Sequence, residues 1–148
     1  MITNKGFVLA SKSKSRHKIL KQNKLKFTTT TPNCNEEKTK KELIKNKKKP
    51  IKIALALAKE KAKSRSLSFP NKLVVGCDTI IVYKNSILSK AKNMKEAEKK
   101  IKLISGDKHT IISALCVYTN NKRVWQTHQE TKVTIRKLNT KQIKKYLN

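Results

Sequence analysis

Asp78 lies in the most apolar stretch of a very basic chain, Leu73-Val74-Val75-Gly76-Cys77-Asp78-Thr79-Ile80-Ile81-Val82. An unpaired carboxylate is costly to bury in such a setting. It has to be neutralised by a proton, bound to a metal, or placed at a strand's end facing a cleft, and each of these favours chemistry. Paired with a distant glutamate, Asp78-Thr79 could hold a divalent metal through oxygen ligands and activate a water. Glu36-Glu37 follows the loop at Pro32 in a region otherwise poor in acids. Ordinary acids at a helix N-terminus would give the same pattern.

A second constellation is Leu9-Ala10-Ser11-Lys12-Ser13-Lys14-Ser15-Arg16. A strand that runs into a hydroxyl-rich turn and a helix N-terminus forms an anion site, because backbone N–H groups and the helix dipole point at the ligand. Arg16, one of four arginines, could add a bidentate phosphate contact. Serine caps are common, so no single serine carries this reading. Ser89-Lys90 and Ser105-Gly106-Asp107-Lys108-His109 are further polar blocks. His109, like His17 and His128, reads as a structural or surface histidine.

The elements that must position these residues alternate between strand and helix. Residues 6–10 read as a short buried strand and 16–22 as a helix start, capped by Ser13 or Ser15. Residues 26–31 are β-prone, 32–35 form a loop, and the basic run 36–49 is an exposed helix or loop. Pro50 opens the best helix, proline being well tolerated at the first helical position. Its expected apolar stripe is Ile51, Ala54, Leu55, Ala58 and Ala62. Lys61 falls on the apolar side and Lys59 on the opposite flank. Lys61 is either a snorkelling side chain or a lysine aimed into a cleft. Residues 73–83 form the central strand and 84–86 a turn; 94–104 form a helix ended at Gly106. Residues 110–118 and 123–126 pair through a hairpin turn at Asn120-Asn121. Residues 130–138 alternate, and 140–147 form a last helix capped by Thr140. The class is mixed α/β.

The 148 residues carry 37 Lys and Arg against nine Asp and Glu, a formal net charge of +28. A polyanionic partner would explain this, whether nucleic acid, nucleotide or a membrane surface. Compositional drift in an AT-rich genome would also explain it. The excess of Lys over Arg, 33 to four, favours drift, since dedicated nucleic-acid surfaces use arginine forks. Cys34, Cys77 and Cys116 form no CxxC and no zinc spacing. Free thiols in a reducing compartment follow. The apolar run Phe7-Val8-Leu9-Ala10 is too short for a signal-peptide core, and no stretch could span a bilayer. The expectation is a soluble cytoplasmic protein.

In order and spacing these pieces resemble the Maf family, also called septum formation proteins, which are nucleoside triphosphate pyrophosphatases. The matching blocks are Leu9 to Arg16, Glu36 after the proline loop, Leu57-Ala58-Lys59-Glu60-Lys61-Ala62, Gly76-Cys77-Asp78-Thr79, Ile87-Leu88-Ser89-Lys90 and Leu103 to His109. The tail, Thr131 to Leu138 and Ile143 to Leu147, continues in register. The resemblance covers essentially the whole chain and implies one Maf-like domain over residues 1–148. It also implies a mixed central sheet flanked by helices, in an elongated, inosine triphosphatase-like form with a central cleft.

The activity implied is hydrolysis of the α–β phosphoanhydride bond of a nucleoside triphosphate, with a house-cleaning role on modified nucleotides and a link to cell-division arrest. Asp78 and Glu36 resemble the family's catalytic acids and would hold Mg²⁺ or Mn²⁺. Ser11, Ser13, Arg16, Lys61 and Lys90 resemble its phosphate contacts. A homodimer is implied; neither nucleic acid nor a membrane is required. The chain departs from the family pattern at Ser89 (usually Gly), Ala91 (usually Pro), Asn35 (often Asp), and Ser15 and His17, which flank Arg16 where a second Arg is common. Family members run on past the Tyr146-Leu147 position into a pocket-building Ala-Gly-x-Tyr-x-Ile-Gln-Gly segment, so the chain reads as C-terminally truncated relative to them. Two rival readings are a basic nucleic-acid-binding module, which leaves Asp78 and Glu36 without a task, and an inactive nucleotide-binding remnant.

Overall fold

The computed structural model describes residues 5–148. The elements are β1 (Phe7–Ala10), α1 (Lys14–Gln22), β2 (Phe27–Thr30), α2 (Glu36–Lys45), α3 (Pro50–Ser66), β3 (Val74–Tyr83), β4 (Ser86–Leu88), α4 (Met94–Ile104), β5 (Lys108–Thr119), β6 (Lys122–Thr134) and α5 (Thr140–Leu147). The strands form one sheet in the order β2-β1-β3-β5-β6, with β4 paired to β3. β1 is parallel to both neighbours: Phe7 to Ala10 lie opposite Phe27 to Thr30 of β2, and Val8 and Ala10 lie opposite Val74 and Gly76 of β3. β4 runs antiparallel to β3. The expected mixed sheet flanked by helices is what the chain forms.

Two compact units share the strands. The first is the chain through Asp78 together with Ser113–His128; the second is Thr79–Ile112 with Gln129–Asn148.

In the first unit, β1 is apolar at every position because its two faces belong to two clusters. Val8 and Ala10 pack with Val74 and Phe69. Leu9 packs with Val75 and Val117, joined by Phe7, Leu20, Phe27, Cys77 and Leu115. Leu20 brings α1 onto that second face. α3 begins with Pro50 in its first turn and buries Ile53, Ala54, Leu57, Ala58, Lys61, Ala62 and Ser66. The buried stripe is therefore rotated from the expected one, and Ile51 and Leu55 are only half-buried. The run from Ile51 to Ala58 is apolar on nearly every side, so its period alone could not choose between adjacent faces.

In the second unit, Lys84 and Asn85 take φ of 46° and 63° in the two-residue β3–β4 turn, the left-handed pair that such hairpins need. α5 is capped by Asn139, whose side chain accepts from the Gln142 N–H while the Gln142 side chain reaches back to the Asn139 N–H. This reciprocal box corrects the expected Thr140 cap; Thr140 is the first helical residue. The expected return strand 123–126 and the first part of the alternating segment, 130–134, form one continuous strand, β6, whose residues through His128 belong to the first unit; 135–138 lie outside the strand. β6 enters through Asn120 and Asn121, also left-handed, and stands at the end of the sheet with almost every side chain exposed.

Candidate active site

The site is built on a close approach between α3 and β3. A Cβ placed on Gly76 would lie 2.2 Å from the Ala58 carbonyl oxygen and 2.6 Å from the Ala62 amide nitrogen. Only glycine lets the helix backbone come this near the strand. Asp78, two residues on, points to the same face of β3 as Gly76. Lys61 lies on the α3 face that carries Ala58 and Ala62. The two side chains meet: Lys61 Nζ donates to Asp78 Oδ1 at 2.9 Å and to the Cys77 carbonyl oxygen at 3.1 Å. Lys61 is 6% exposed and Asp78 8%. A lysine thus neutralises the buried acid, a solution outside the three the sequence suggested. Asp78 Oδ2 is buried with no hydrogen-bond partner.

Glu36 reaches the same ammonium, with Oε1 3.4 Å from Lys61 Nζ and its side chain 44% exposed. It is the first residue of α2. Asn35 is the N-cap and accepts from the Lys38 N–H at 3.1 Å. Asn and Asp both fill that role well, so this departure from the family pattern leaves the position of Glu36 intact. Two ties hold the segment against α3. Thr39 Oγ1 donates to Glu60 Oε1 at 3.1 Å, and the Asn33 N–H donates to Ser64 Oγ at 3.0 Å. Thr39, Glu60 and Ser64 went unread as site residues in the sequence. Their only signal there was adjacency to Lys61 and to the proline loop.

The hydroxyl-rich turn leaves the carboxyl end of β1, where Ala10 lies opposite Gly76. Its residues are therefore level with Cys77 and Asp78. Ser11 is buried, and its Oγ accepts from the Ser13 N–H and from Arg16 Nη1, both at 3.2 Å. Ser13, not Ser15, caps α1, accepting from the Arg16 N–H at 3.4 Å. His17 has a role the sequence did not disclose: its Nε2 donates to the Ser11 carbonyl at 2.9 Å, and its ring packs against Phe27. The turn is therefore braced before any anion arrives. Lys90 belongs to the second unit, just after β4; there Lys100 Nζ donates to the backbone oxygen of Ser89 at 2.5 Å. The first unit brings Ser11, Ser13, Arg16, Glu36, Lys61 and Asp78 to one end of β1 and β3.

The local field acts on the nearby thiols. Burial, then the Glu60 and Glu36 carboxylates, push the Cys34 thiol up to about 11. Burial also raises Cys77, against the pull of Arg16 and Lys61. Hard divalent cations take one or two carboxylates and fill the remaining positions with water and phosphate oxygens. The unpartnered Asp78 Oδ2 and the half-exposed Glu36 fit that need. No group of three or more His, Cys, Asp or Glu forms a metal centre among the described residues.

Parallel strands ending beside a braced serine–arginine turn, with Asp78 and Glu36 both on Lys61, define an α/β protein. The family profile for Maf-like proteins matches residues 6–148, and the chain belongs to the Maf family. A nucleoside triphosphate pyrophosphatase of Pelagibacter ubique strain HTCC1062 is 32% identical over 143 residues, 97% of this chain and 73% of that protein. One from Legionella pneumophila strain Paris is 32% identical over 146 residues, 99% of this chain and 72% of that protein. A dTTP/UTP pyrophosphatase of Wolbachia sp. subsp. Drosophila simulans strain wRi is 36% identical over 146 residues, 96% of this chain and 70% of that protein. A HAM1 protein from Coxiella burnetii superposes with a TM-score of 0.48 at 11% identity, over 86% of this chain and 70% of the other.

Proposed function

We propose that this protein is a nucleoside triphosphate pyrophosphatase, which cleaves a nucleoside triphosphate to the monophosphate and pyrophosphate. The observation that carries the reading is the buried Asp78 carboxylate, with one oxygen tied to Lys61 and the other without a partner, in a chain whose relatives bear that activity in their names.

The chemistry is an in-line displacement. Asp78 is the proton acceptor for a water, Oδ2 being the oxygen that Lys61 does not bond. The water oxygen bonds to the α-phosphorus as the bridging α–β P–O bond breaks, and pyrophosphate leaves with the bonding electrons. Arg16 holds phosphate oxygens in a bidentate fork, and the Ser11–Ser13 turn offers backbone N–H groups. Lys61 adds positive charge where negative charge builds up; Lys90 is assigned to phosphate by the family resemblance alone. Asp78 and Glu36 are the residues that would hold Mg²⁺ or Mn²⁺. Such an ion supplies Lewis-acid polarisation of phosphate oxygens and a more acidic water.

The same reading places the protein in the cytoplasm as a homodimer acting on non-standard or excess nucleotides. For the compartment it is supported by the free cysteines; the homodimer and the nucleotide class rest on the family resemblance, and no described helix is long and apolar enough to cross a membrane. The test is pyrophosphate release from a panel of nucleoside triphosphates with Mg²⁺ or Mn²⁺. Turnover that survives Asp78→Asn unchanged would sink the mechanism.

A further inference from the structure

Lys61 does not offer itself to a phosphate. Its ammonium has three N–H donors, and three oxygens surround it: Asp78 Oδ1 at 2.9 Å, the Cys77 carbonyl at 3.1 Å and Glu36 Oε1 at 3.4 Å. The side chain is 6% exposed. As the protein stands, Lys61 has no donor left for a ligand. It also sits on the two carboxylates that would hold a divalent ion.

We infer that Lys61 is a resident counter-cation of the acid pair, and that a divalent cation gains both Asp78 and Glu36 only by displacing it. The inference rests on the pyrophosphatase reading for the identity of the ion and deepens it with an order of events. An ammonium and a divalent ion cannot share two carboxylate oxygens a few ångströms apart without strong like-charge repulsion. In the absence of the ion, burial of Asp78 requires a cation, and α3 supplies one. When the ion takes over that charge balance, the Lys61 donors are released. They are then available to phosphate oxygens on the same face of the site. Loading of the ion and creation of a phosphate contact become one event, so the phosphate contact is made only in a protein already carrying the ion. Asp78 Oδ2, buried and without a hydrogen-bond partner, is the carboxylate oxygen that Lys61 does not use.

The experiment is direct Mn²⁺ binding without nucleotide, followed by loss of the free-ion electron paramagnetic resonance signal. The full chain is compared with Lys61→Met, which keeps length and removes the charge. The variant is expected to bind Mn²⁺ roughly tenfold tighter or better, the order by which one adjacent charge shifts a site equilibrium. Equal or weaker binding by a folded Lys61→Met protein overturns the inference.

A second measurement uses the unaltered protein and so does not depend on the variant folding. Reductive methylation is read by peptide mass spectrometry, with exposed Lys59 of the same helix as internal reference. Lys61 is expected to be protected without Mn²⁺ and to become modified when Mn²⁺ is added. Modification that does not change with Mn²⁺ overturns the inference. Neither readout involves nucleotide turnover. A protein that passes both yet releases no pyrophosphate would refute the proposed function and leave this inference standing.

Discussion

Gly76 and Ala58 touch through their backbones: a single added Cβ on Gly76 would come within 2.2 Å of the Ala58 carbonyl oxygen. The helix that carries Lys61 and the strand that carries Asp78 are set at the depth that glycine permits. Gly76→Ala must therefore push α3 away from β3, since backbone atoms cannot step aside as a flexible side chain does. A loss of about 2–3 kcal/mol is expected, the upper range for overpacking. Denaturant midpoints check it, and pyrophosphate release should fall further than stability alone explains, because Lys61 and Asp78 are parted.

Asp78→Asn keeps the shape of the side chain and removes its basicity. Pyrophosphate release is expected to fall roughly 100-fold or more, the share general-base catalysis commonly supplies. Asp78→Ala should cost stability as well, about 3–5 kcal/mol, because it leaves the buried Lys61 ammonium without its nearest charge partner. Steady-state kinetics and chemical denaturation on both variants separate the two effects.

Arg16→Lys preserves charge and loses the planar fork. Lysine cannot grip a phosphate bidentately while also bonding the Ser11 hydroxyl, as Arg16 Nη1 does at 3.2 Å. The KM for a triphosphate substrate should rise about tenfold, with a smaller change in kcat, as expected for lost bidentate recognition. Initial rates over a substrate range check it.

Asn35→Asp should leave stability nearly unchanged, and Asn35→Ala should lower it by about 1 kcal/mol, the usual value of an N-cap. The alanine variant frees the start of α2, and with it Glu36. Thermal unfolding gives the first effect, and Mn²⁺ affinity gives the second.

Cys34 should be slow to alkylate. Burial and the Glu60 and Glu36 carboxylates favour its neutral thiol, so the thiolate appears only as pH climbs toward about 11. At pH 8 its labelling should be roughly tenfold slower than in the unfolded chain, since less thiolate outweighs the greater nucleophilicity of the thiolate that remains. Glu60→Gln removes one of the raising charges and should speed the reaction. Mass spectrometry of iodoacetamide-treated protein at stepped pH follows both.

Much of this protein was legible in its residues. Pro50 marked the first turn of α3, Asn120-Asn121 marked a hairpin, and 94–104 marked α4, because capping residues, left-handed turns and helical periodicity are local properties. The family blocks singled out Asp78, Glu36, Arg16 and the Ser11–Ser13 turn as candidates by type and order. Lys61 was legible as a lysine on the inward side of its helix. Periodicity states which side of an element faces in. It does not state what that side meets. That Lys61 meets Asp78 depends on how closely α3 lies on Gly76, and that Glu36 joins them depends on the Thr39–Glu60 and Asn33–Ser64 ties between segments far apart in the chain. Where a run is apolar on nearly every side, as in α3 from Ile51 to Ala58, even the inward side was decided by packing. Residue type and spacing determined which groups are present for phosphate chemistry. The tertiary structure decided that a lysine holds the two acids, because charge pairing between separate elements is set by interatomic distance.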